Sequence, residues 1–280
     1  MDSWESLVAA FFIWVIIPVA VAGLSLAVAL FYALSISQNT TVPRHRPKHA
    51  AAHLLIVLGS GGHTAEMFSM LRRMELDPTI YTYRTYIVSS GDKFSAAKAV
   101  EFENNHLYKR CQGHNGEGQP TENHKLAGSY GIVTVPRARR VHQSFLTAPA
   151  STLQCFWQCL LVLRGIHRDQ TPLPPQTRSP YPDLILTNGP ATAVCVILAA
   201  KLLRLWVYCF GSKQQHKDLA GAYPLRTIFV ESWARVTTLS LSGKLLLPFV
   251  DRFLVQWPAL EGKQAWKGMR KTEYVGTIVD

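Results

Sequence analysis

The chain has 280 residues, with 29 Lys and Arg against 18 Asp and Glu, and a formal net charge of +11. That length allows one large domain or two small ones. The positive charge suits nucleic acid or anionic lipid, but no zinc-ligand spacing, aromatic RNA-binding signature or basic helix occurs, which disfavours nucleic acid. The five cysteines are odd in number and form no C-x-x-C pair, so we expect reduced, mostly buried thiols and no metal site.

An uncharged run dominates the N-terminus. Residues 7–34 carry no charged side chain and exceed the roughly 20 residues that cross a bilayer. We therefore expect residues 1–36 to form a luminal N-terminus and one transmembrane helix. A cleavable signal peptide is disfavoured, because the start carries Asp2 and Glu5 instead of basic residues and the apolar run is too long.

A basic linker, residues 37–52, follows this predicted span. Its residues Arg44, Arg46 and Lys48 come directly after the apolar run, and the positive-inside rule then places the main domain, residues 53–280, in the cytosol. The excess of basic residues in that domain suits the anionic headgroups of membrane lipid.

Apolar runs bounded by turn residues alternate with helical patterns through the main domain. The predicted strands are residues 53–58, 85–90, 130–136, 183–187, 227–232, 253–257 and 273–279. The predicted helices are residues 64–74, 96–105, 149–166, 191–205 and 236–247. Residues 205–210 suit either element, and polar stretches near residues 112–125 and 211–224 are expected to be inserts. Alternation of this kind indicates a Rossmann-like, doubly wound α/β sheet, in which ligands bind beyond the carboxyl ends of strands.

A glycine cluster joins the first strand to the first helix in the run HLLIVLGSGGHTAEM. Such a turn lets the backbone approach a ligand and directs N–H groups at an anion, so phosphate is the expected guest. The residues that would bind it are Gly59, Ser60, Gly61, Gly62 and Thr64. The dinucleotide fingerprint G-x-G-x-x-G is not met, because Thr64 stands where its third glycine or alanine falls. A nicotinamide cofactor is therefore disfavoured, and we expect none.

Two titratable residues follow the glycines. His63 lies at the junction of loop and helix, where an imidazole faces the expected crevice and suits a general base. A packing or capping role for His63 is the structural alternative. Glu66 suits a capping-box partner of His63 or Thr64 better than a catalytic group, and Thr64 is the predicted N-cap of the helix.

Five runs and the N-terminal span form a combined pattern from residue 1 to residue 276. The runs are HLLIVLGSGGHTAEM, VPRARRVHQS, PDLILTNGPATAV, IFVESWARVTTLSLSGKLLLPFVDRFLVQWPAL and YVG. This combination resembles the membrane-anchoring subunit of the eukaryotic UDP-N-acetylglucosamine transferase.

The resemblance implies a fold and an activity. The fold is the N-terminal half of a GT-B glycosyltransferase. The activity is inverting transfer of the second N-acetylglucosamine (GlcNAc) to dolichyl-diphosphate-GlcNAc at the cytosolic face of the endoplasmic reticulum membrane, with this chain binding the acceptor. A separate soluble catalytic subunit binds UDP-GlcNAc and is recruited by this chain, so the chain alone is expected to be inactive.

The resemblance also implies an acceptor site. His63 is the candidate catalytic base with Glu66 beside it, and the glycine loop binds the acceptor diphosphate. The other candidates are Arg137, Arg139, Asn188, Gly189, Glu231 and Arg235. Their structural alternatives are a solvated basic turn for the first two, a plain turn for the next two and an i, i+4 ion pair for the last two.

Some features leave other functions open. The sequence departs from the family pattern at Arg140, His142 and Ala191, so no role is assigned to these residues. A complete single-chain membrane glycosyltransferase would carry its own donor site, and a pure scaffold would recruit a partner without contributing chemistry. An anchored oxidoreductase is disfavoured by the broken dinucleotide fingerprint.

Overall fold

A computed structural model shows a seven-stranded parallel sheet at the centre of the chain. It describes residues 4, 11–25, 28, 51–74, 76–78, 80–108, 128–139, 143, 148–173, 181–189, 191–210 and 225–279. The strands are β1 His53–Val57, β2 Tyr83–Ser89, β3 Ser129–Val135, β4 Leu184–Thr187, β5 Arg226–Val230, β6 Arg252–Val255 and β7 Glu273–Tyr274. The helices of the sheet domain are α1 Gly62–Arg73, α2 Lys93–Phe102, α3 Ala148–Leu163, α4 Ala191–Phe210 and α5 Leu241–Leu246.

The strand order is β3-β2-β1-β4-β5-β6-β7, and every neighbouring pair is parallel. The sheet therefore grows outward from β1 in one direction through β2 and β3, and in the other direction from β4 onward. This arrangement confirms the predicted Rossmann-like, doubly wound fold. Its switch point lies between β1 and β4, where such sheets open a crevice beyond the carboxyl ends of the strands.

Helices cover both faces of the sheet. On one face, α3 and α4 pack over residues such as Leu55 and Ile185. On the opposite face, α1 and α2 pack over Leu54 and Ile56. Every residue of β1 is buried, which explains why its sequence is a continuous apolar run and not an alternating one.

Several predicted elements differ in length from those in the structure, among them the last strand, which is predicted at residues 273–279 and observed only at Glu273–Tyr274. Residues 205–210 continue α4 as helix, which settles their assignment. The predicted helix at residues 236–247 was too long, because the structure begins α5 at Leu241. The preceding loop is held in a non-helical path by the Glu231 carboxylate, which accepts hydrogen bonds from Ser240 N at 3.0 Å and Ser240 Oγ at 3.1 Å.

The start of α1 also differs from the prediction. The helix begins at Gly62, and Gly61 occupies its N-cap position with a φ of 59° and no side-chain cap. Thr64 is therefore not the N-cap but a buried residue of the first turn. The positive φ at Gly61 is readily adopted only by glycine, so this residue permits the tight entry into the helix.

The described part of the N-terminal run is helical. Residues 11–25 form a helix that includes a π-helical turn at Phe12–Ile16. Across the residues that the structure describes, no helix is both long enough and apolar enough to cross a membrane. The rest of the predicted membrane segment, the linker up to residue 50 and both predicted inserts lie outside the described residues.

A buried ion pair ties β2 to the end of α2. Arg84 is 0% exposed, and its Nε and Nη2 each donate to one carboxylate oxygen of Glu103 at 2.7 Å. Tyr86 donates its hydroxyl to the same carboxylate at 2.7 Å. Burial, together with the charge of Glu103, raises the pKa of Tyr86 well above its usual value. The carboxylate thus has both oxygens engaged in a site that water does not reach.

Replacing this carboxylate predicts a large loss of stability. Glu103→Gln leaves the Arg84 guanidinium buried without its counter-charge, and breaking a buried pair in this way costs about 3–5 kcal/mol of unfolding free energy. Denaturant titration of the purified full chain measures the change. The matched control is Glu101→Gln, which removes a 53% exposed carboxylate paired with Lys98 at 2.7 Å and should leave stability nearly unchanged. Equal losses for the two variants would contradict a structural role for the buried pair.

Candidate functional site

The loops that follow β1 and β4 meet at the switch point. A Cβ added to Gly189 would lie 3.2 Å from the Cα of Gly59, and one added to Gly59 would lie 2.6 Å from the Cβ of His63. The two backbones approach this closely only because neither residue has a side chain. Gly59 and Gly189 therefore act by packing, and they bring the β1 loop against the Asn188 turn.

The carbonyl of Gly59 is fixed from two helices. Thr64 of α1 donates its hydroxyl to this carbonyl, and Ser95 of α2 donates its Oγ to the same oxygen at 3.1 Å. Ser95 also lies 2.6 Å from the hydroxyl of Thr64 and 2.7 Å from Asp92 Oδ2. Ser95 and Asp92 were not predicted from the sequence. The signal for them was the Gly91-Asp92 turn directly after the second predicted strand.

Beyond Gly59, the glycine loop turns outward. Ser60, Gly61 and Gly62 are exposed, and a Cβ at Gly61 or Gly62 would meet nothing within 4 Å. Their backbone N–H groups lie at the N-terminus of a 12-residue helix, which carries a partial positive charge. The open space over this helix end suits an anionic group.

Glu66, on α1, joins the turn after β4 to the loop after β5. Its side chain is buried at 8% exposure. Oε1 accepts a hydrogen bond from the backbone N–H of Trp233, which follows β5. Oε2 accepts from Asn188 Nδ2 at 3.4 Å and lies 3.5 Å from His63 Nδ1. The predicted capping-box role is therefore wrong: the carboxylate faces the crevice and neighbouring loops, not the start of its own helix.

His63 is held at its backbone while its ring stays accessible. Its carbonyl accepts a hydrogen bond from Asn188 Nδ2 at 2.8 Å, and its side chain is 34% exposed. The Nδ1 side of the ring faces the Glu66 carboxylate at 3.5 Å, and Nδ1 itself is buried without a hydrogen bond. The arrangement is thus a histidine and carboxylate pair that can receive a proton from a ligand hydroxyl.

Asn188 lies where the sequence analysis expected it, at the carboxyl end of β4. It is 2% exposed, and its amide nitrogen serves both the His63 carbonyl and Glu66. The amide oxygen is buried without a hydrogen-bond partner. Because the side chain is enclosed, Asn188 contributes to the crevice by holding its neighbours.

The two arginines predicted to bind the diphosphate lie farther along the sheet edge. Both follow β3, which is two strands away from β1. Arg137 donates its Nε to the carbonyl of Ser90 at 3.0 Å, beyond the end of β2. Arg139 is exposed, with Nη2 3.4 Å from the carbonyl of Gln143. Through this contact Arg137 reaches the end of β2, the strand next to β1.

Glu231 and Arg235 do not form the helical ion pair that was the structural alternative, because residues 231–240 are a loop. Glu231 is 2% exposed and closes the base of this loop through Ser240. A Cβ at Gly243 would lie 2.3 Å from Glu231 Oε2, so α5 packs directly on the carboxylate. Arg235 lies on the exposed part of the loop.

The loop that Glu231 closes also carries an aromatic pair that the sequence analysis missed. Trp233 is 47% exposed, and its ring centroid lies 5.9 Å from that of Trp257. Trp257 donates its Nε1–H to the carbonyl of Trp233 at 2.7 Å. Together with its N–H donation to Glu66, this contact fixes the backbone of Trp233 at the rim of the crevice.

Three cysteines of α3 and α4 are buried thiols. Cys155, Cys159 and Cys195 are free and lie between α3 and α4. A hydrogen bond to Cys155, together with burial, raises the pKa of the Cys195 thiol far above its usual value, which keeps it protonated. The part of the chain that the structure describes contains no cluster of three or more His, Cys, Asp or Glu side chains that could hold a metal ion.

The fold and this crevice define a Rossmann-like α/β protein with a histidine and carboxylate pair beside a glycine-rich helix N-terminus. Residues 54–278 match the family model described as "Oligosaccharide biosynthesis protein Alg14 like". Because the match spans most of the chain, the protein belongs to the Alg14 family.

Similar curated proteins share one name, UDP-N-acetylglucosamine transferase subunit Alg14. The relative from Aspergillus fumigatus is 60% identical over 232 residues, which is 76% of this chain and 100% of the relative. The Schizosaccharomyces pombe relative is 35% identical, covering 86% of this chain and 90% of its own. The human relative is 32% identical, covering 95% of this chain and 99% of its own. The likeness therefore extends over nearly the whole of these relatives.

A solved structure is also similar. The crystal structure of Acinetobacter baumannii MurG aligns at a TM-score of 0.43 with 11% sequence identity. The alignment covers 82% of this chain but only 45% of the MurG chain. At this score the likeness adds nothing to the site, and the fold assignment rests on the strand order.

The close approach of Gly59 to His63 yields a stability prediction. Gly59→Ala places a Cβ 2.6 Å from His63 Cβ, and overpacking of this kind costs about 1–3 kcal/mol. Gly62→Ala is the matched control, because its Cβ meets open space and alanine suits a helix better than glycine. Thermal unfolding of the two purified variants measures the difference. A Gly59→Ala protein as stable as Gly62→Ala would contradict the close approach of Gly59 to His63.

Proposed function

We propose that this chain is the acceptor-binding and membrane-anchoring subunit of an N-acetylglucosaminyltransferase. In this proposal it binds dolichyl-diphosphate-GlcNAc at the cytosolic face of the endoplasmic reticulum membrane. A soluble subunit supplies UDP-GlcNAc. The name of the Alg14 relatives supports the transferase assignment. The observation that carries the proposal is the meeting of His63, Glu66 and an open helix N-terminus in one crevice.

The acceptor diphosphate binds at the start of α1. The exposed N–H groups of residues 60–62 and the helix dipole offer favourable electrostatics to a phosphate. Arg137 is the candidate cation for the diphosphate. Its Nε donates to a carbonyl at the end of β2, which positions the guanidinium there, and guanidinium groups bind phosphate oxygens well. Arg139 is the more exposed second candidate.

The chemical step is transfer of a glycosyl group to a hydroxyl. The acceptor hydroxyl of the lipid-linked GlcNAc attacks the anomeric carbon of UDP-GlcNAc from the face opposite the departing UDP, which inverts the configuration. The new C–O bond forms as the bond to the UDP phosphate oxygen breaks. His63 accepts the hydroxyl proton, and Glu66 stabilises the imidazolium that results. UDP leaves with the bonding electron pair.

A division into two subunits accounts for what the crevice contains. The described residues at the switch point offer sites for an anion and for a proton, and the relatives are named as subunits. In the proposal, this sheet is the N-terminal half of a GT-B enzyme and the partner supplies the nucleotide-binding half. Residues 7–34 hold the acceptor-binding half at the bilayer, where a polyprenyl-linked acceptor stays.

Reconstitution tests the division of labour. The full chain is purified alone and with the donor-binding subunit, and transfer from UDP-GlcNAc to dolichyl-diphosphate-GlcNAc is measured in lipid vesicles. We expect transfer by the pair and none by the chain alone, because the donor site lies on the partner. Transfer by the chain alone would instead identify a complete single-chain transferase. Absence of transfer by a correctly assembled pair would overturn the transferase proposal.

Variants of the histidine and carboxylate pair test the chemistry. His63→Ala should lower kcat by about 100-fold to 10,000-fold, the usual contribution of a general base, while the partner still co-purifies. Glu66→Gln keeps the acceptor for the Trp233 N–H but removes the charge. Glu66 lies 3.5 Å from His63 Nδ1 without a hydrogen bond, so its charge acts through space on the imidazolium, and we expect kcat to fall roughly 10-fold to 100-fold.

Arg72→Ala, at an exposed position near the end of the same helix, is the control and should keep full activity. Wild-type kcat in His63→Ala, with the complex intact, would favour a scaffold that contributes no chemistry.

A further inference from the structure

The two longest helices of the sheet domain expose large apolar side chains. On α3, Leu153 is 68% exposed and Trp157 is 59% exposed. On α4, Leu202 is 44% exposed and Trp206 is 61% exposed. Each pair is spaced i, i+4 and so lies on one side of its helix. These four residues define what we call the α3–α4 outer surface.

Both helices also bury an apolar side. They lie next to each other on one face of the sheet, where Cys155 and Cys159 of α3 share a core with Ala199 and Leu203 of α4. Cys195 of α4 donates its thiol to the carbonyl of Thr152 at 3.7 Å. The two helices therefore pack together through their inner sides. A helix that is apolar on both sides suits an apolar environment beyond its outer side.

The two helices and the turn directly after α3 carry basic residues and no acidic ones. Neither residues 148–168 nor residues 191–210 contain an Asp or a Glu. Arg164 is exposed directly after α3, and Asp169 comes later, 3.5 Å from Arg168. The two basic residues of α4 are turned elsewhere, because Lys201 and Arg204 bind Asp251 at 2.7 and 2.8 Å. The outer surface therefore combines apolar side chains with positive charge, as membrane-interface helices do.

We propose that the α3–α4 outer surface is a second membrane contact, which rests on the headgroup region of a bilayer that contains anionic phospholipid. Trp157 and Trp206 enter the interface, where tryptophan is enriched in membrane proteins. Arg164 binds anionic headgroups. The inference rests on the proposed work of this chain at a membrane, and neither on the anchor at residues 7–34 nor on the chemistry of His63.

The contact has a consequence for the crevice. α4 begins three residues after the Asn188 turn, and α3 follows β3 at the same edge of the sheet. Laying these helices on the bilayer would therefore restrain how the carboxyl edge of the sheet is oriented relative to the lipid. A tether at residues 7–34 alone would leave the sheet free to rotate relative to the bilayer. A second contact limits the orientations in which the crevice can receive a lipid-linked acceptor.

Photocrosslinking in the full chain tests the contact. The variant Trp157→p-benzoylphenylalanine is reconstituted in vesicles of phosphatidylcholine and phosphatidylserine, and phospholipid adducts are measured by mass spectrometry. The matched control is Phe94→p-benzoylphenylalanine, at a 52% exposed aromatic position on α2, which covers the opposite face of the sheet. Burying one such ring contributes more than about 1.4 kcal/mol, so we expect at least roughly tenfold more adduct at position 157.

Two further measurements separate lipid binding from other causes. Omitting phosphatidylserine, or adding Arg164→Gln, should lower the adduct at position 157 by about fivefold, since one basic residue near a surface contributes about 1 kcal/mol. Equal phospholipid adducts at positions 157 and 94 would overturn the proposal. It would also be overturned if position 157 cross-linked to the donor-binding subunit in place of lipid when that subunit was added.

A third position reports on the N-terminal anchor itself. Trp14 is 78% exposed in the uncharged run, and Trp14→p-benzoylphenylalanine should form phospholipid adducts whenever that run is in the bilayer. Adducts at position 14 without adducts at position 157 would refute the second contact and keep the anchor. Adducts at position 157 alone would refute the anchor and keep the surface. Adducts at neither position would refute both.

Discussion

The buried carboxylate of Glu66 is the contact on which the crevice depends. It belongs to α1, yet its partners come from the turn after β4 and the loop after β5. A carboxylate this well enclosed must have its oxygens satisfied, so the three segments are drawn to one point. His63, one helical turn earlier, shares that point. His63 and Glu66 are therefore held in position before any ligand binds.

The loops after β1 and β4 can meet because Gly59 and Gly189 have no side chain. Gly59 and Gly189 bring two backbones into van der Waals contact, and Ser95 and Thr64 hold the Gly59 carbonyl. The rest of the glycine loop is left open above the helix N-terminus. Gly59 thus serves packing, whereas Gly61 and Gly62 leave their backbone N–H groups open to a ligand. That separation suits a site that binds an anion and keeps its catalytic groups in place.

Some of this site could be predicted from residue types and their order. His63 and Asn188 were placed correctly, because each follows a strand whose carboxyl end had to lie at the ligand-binding edge. Glu66 was misassigned to helix capping, since local spacing favours a capping box and says nothing of Trp233. The i, i+4 ion pair that was the structural alternative for Glu231 and Arg235 does not form, because both residues lie in a loop. Whether Arg137 or Arg139 touches a ligand stays a prediction.

The sequence by itself determined the alternating α/β pattern, the glycine turn, the uncharged N-terminal run and the family resemblance, because these depend on residues close in the chain or on their order. Only the tertiary structure decided which groups meet. Glu66 is 122 residues from Asn188 and 167 residues from Trp233, and no local periodicity encodes contacts across such separations. The parallel sheet creates them, since it aligns the carboxyl ends of distant strands along a single edge.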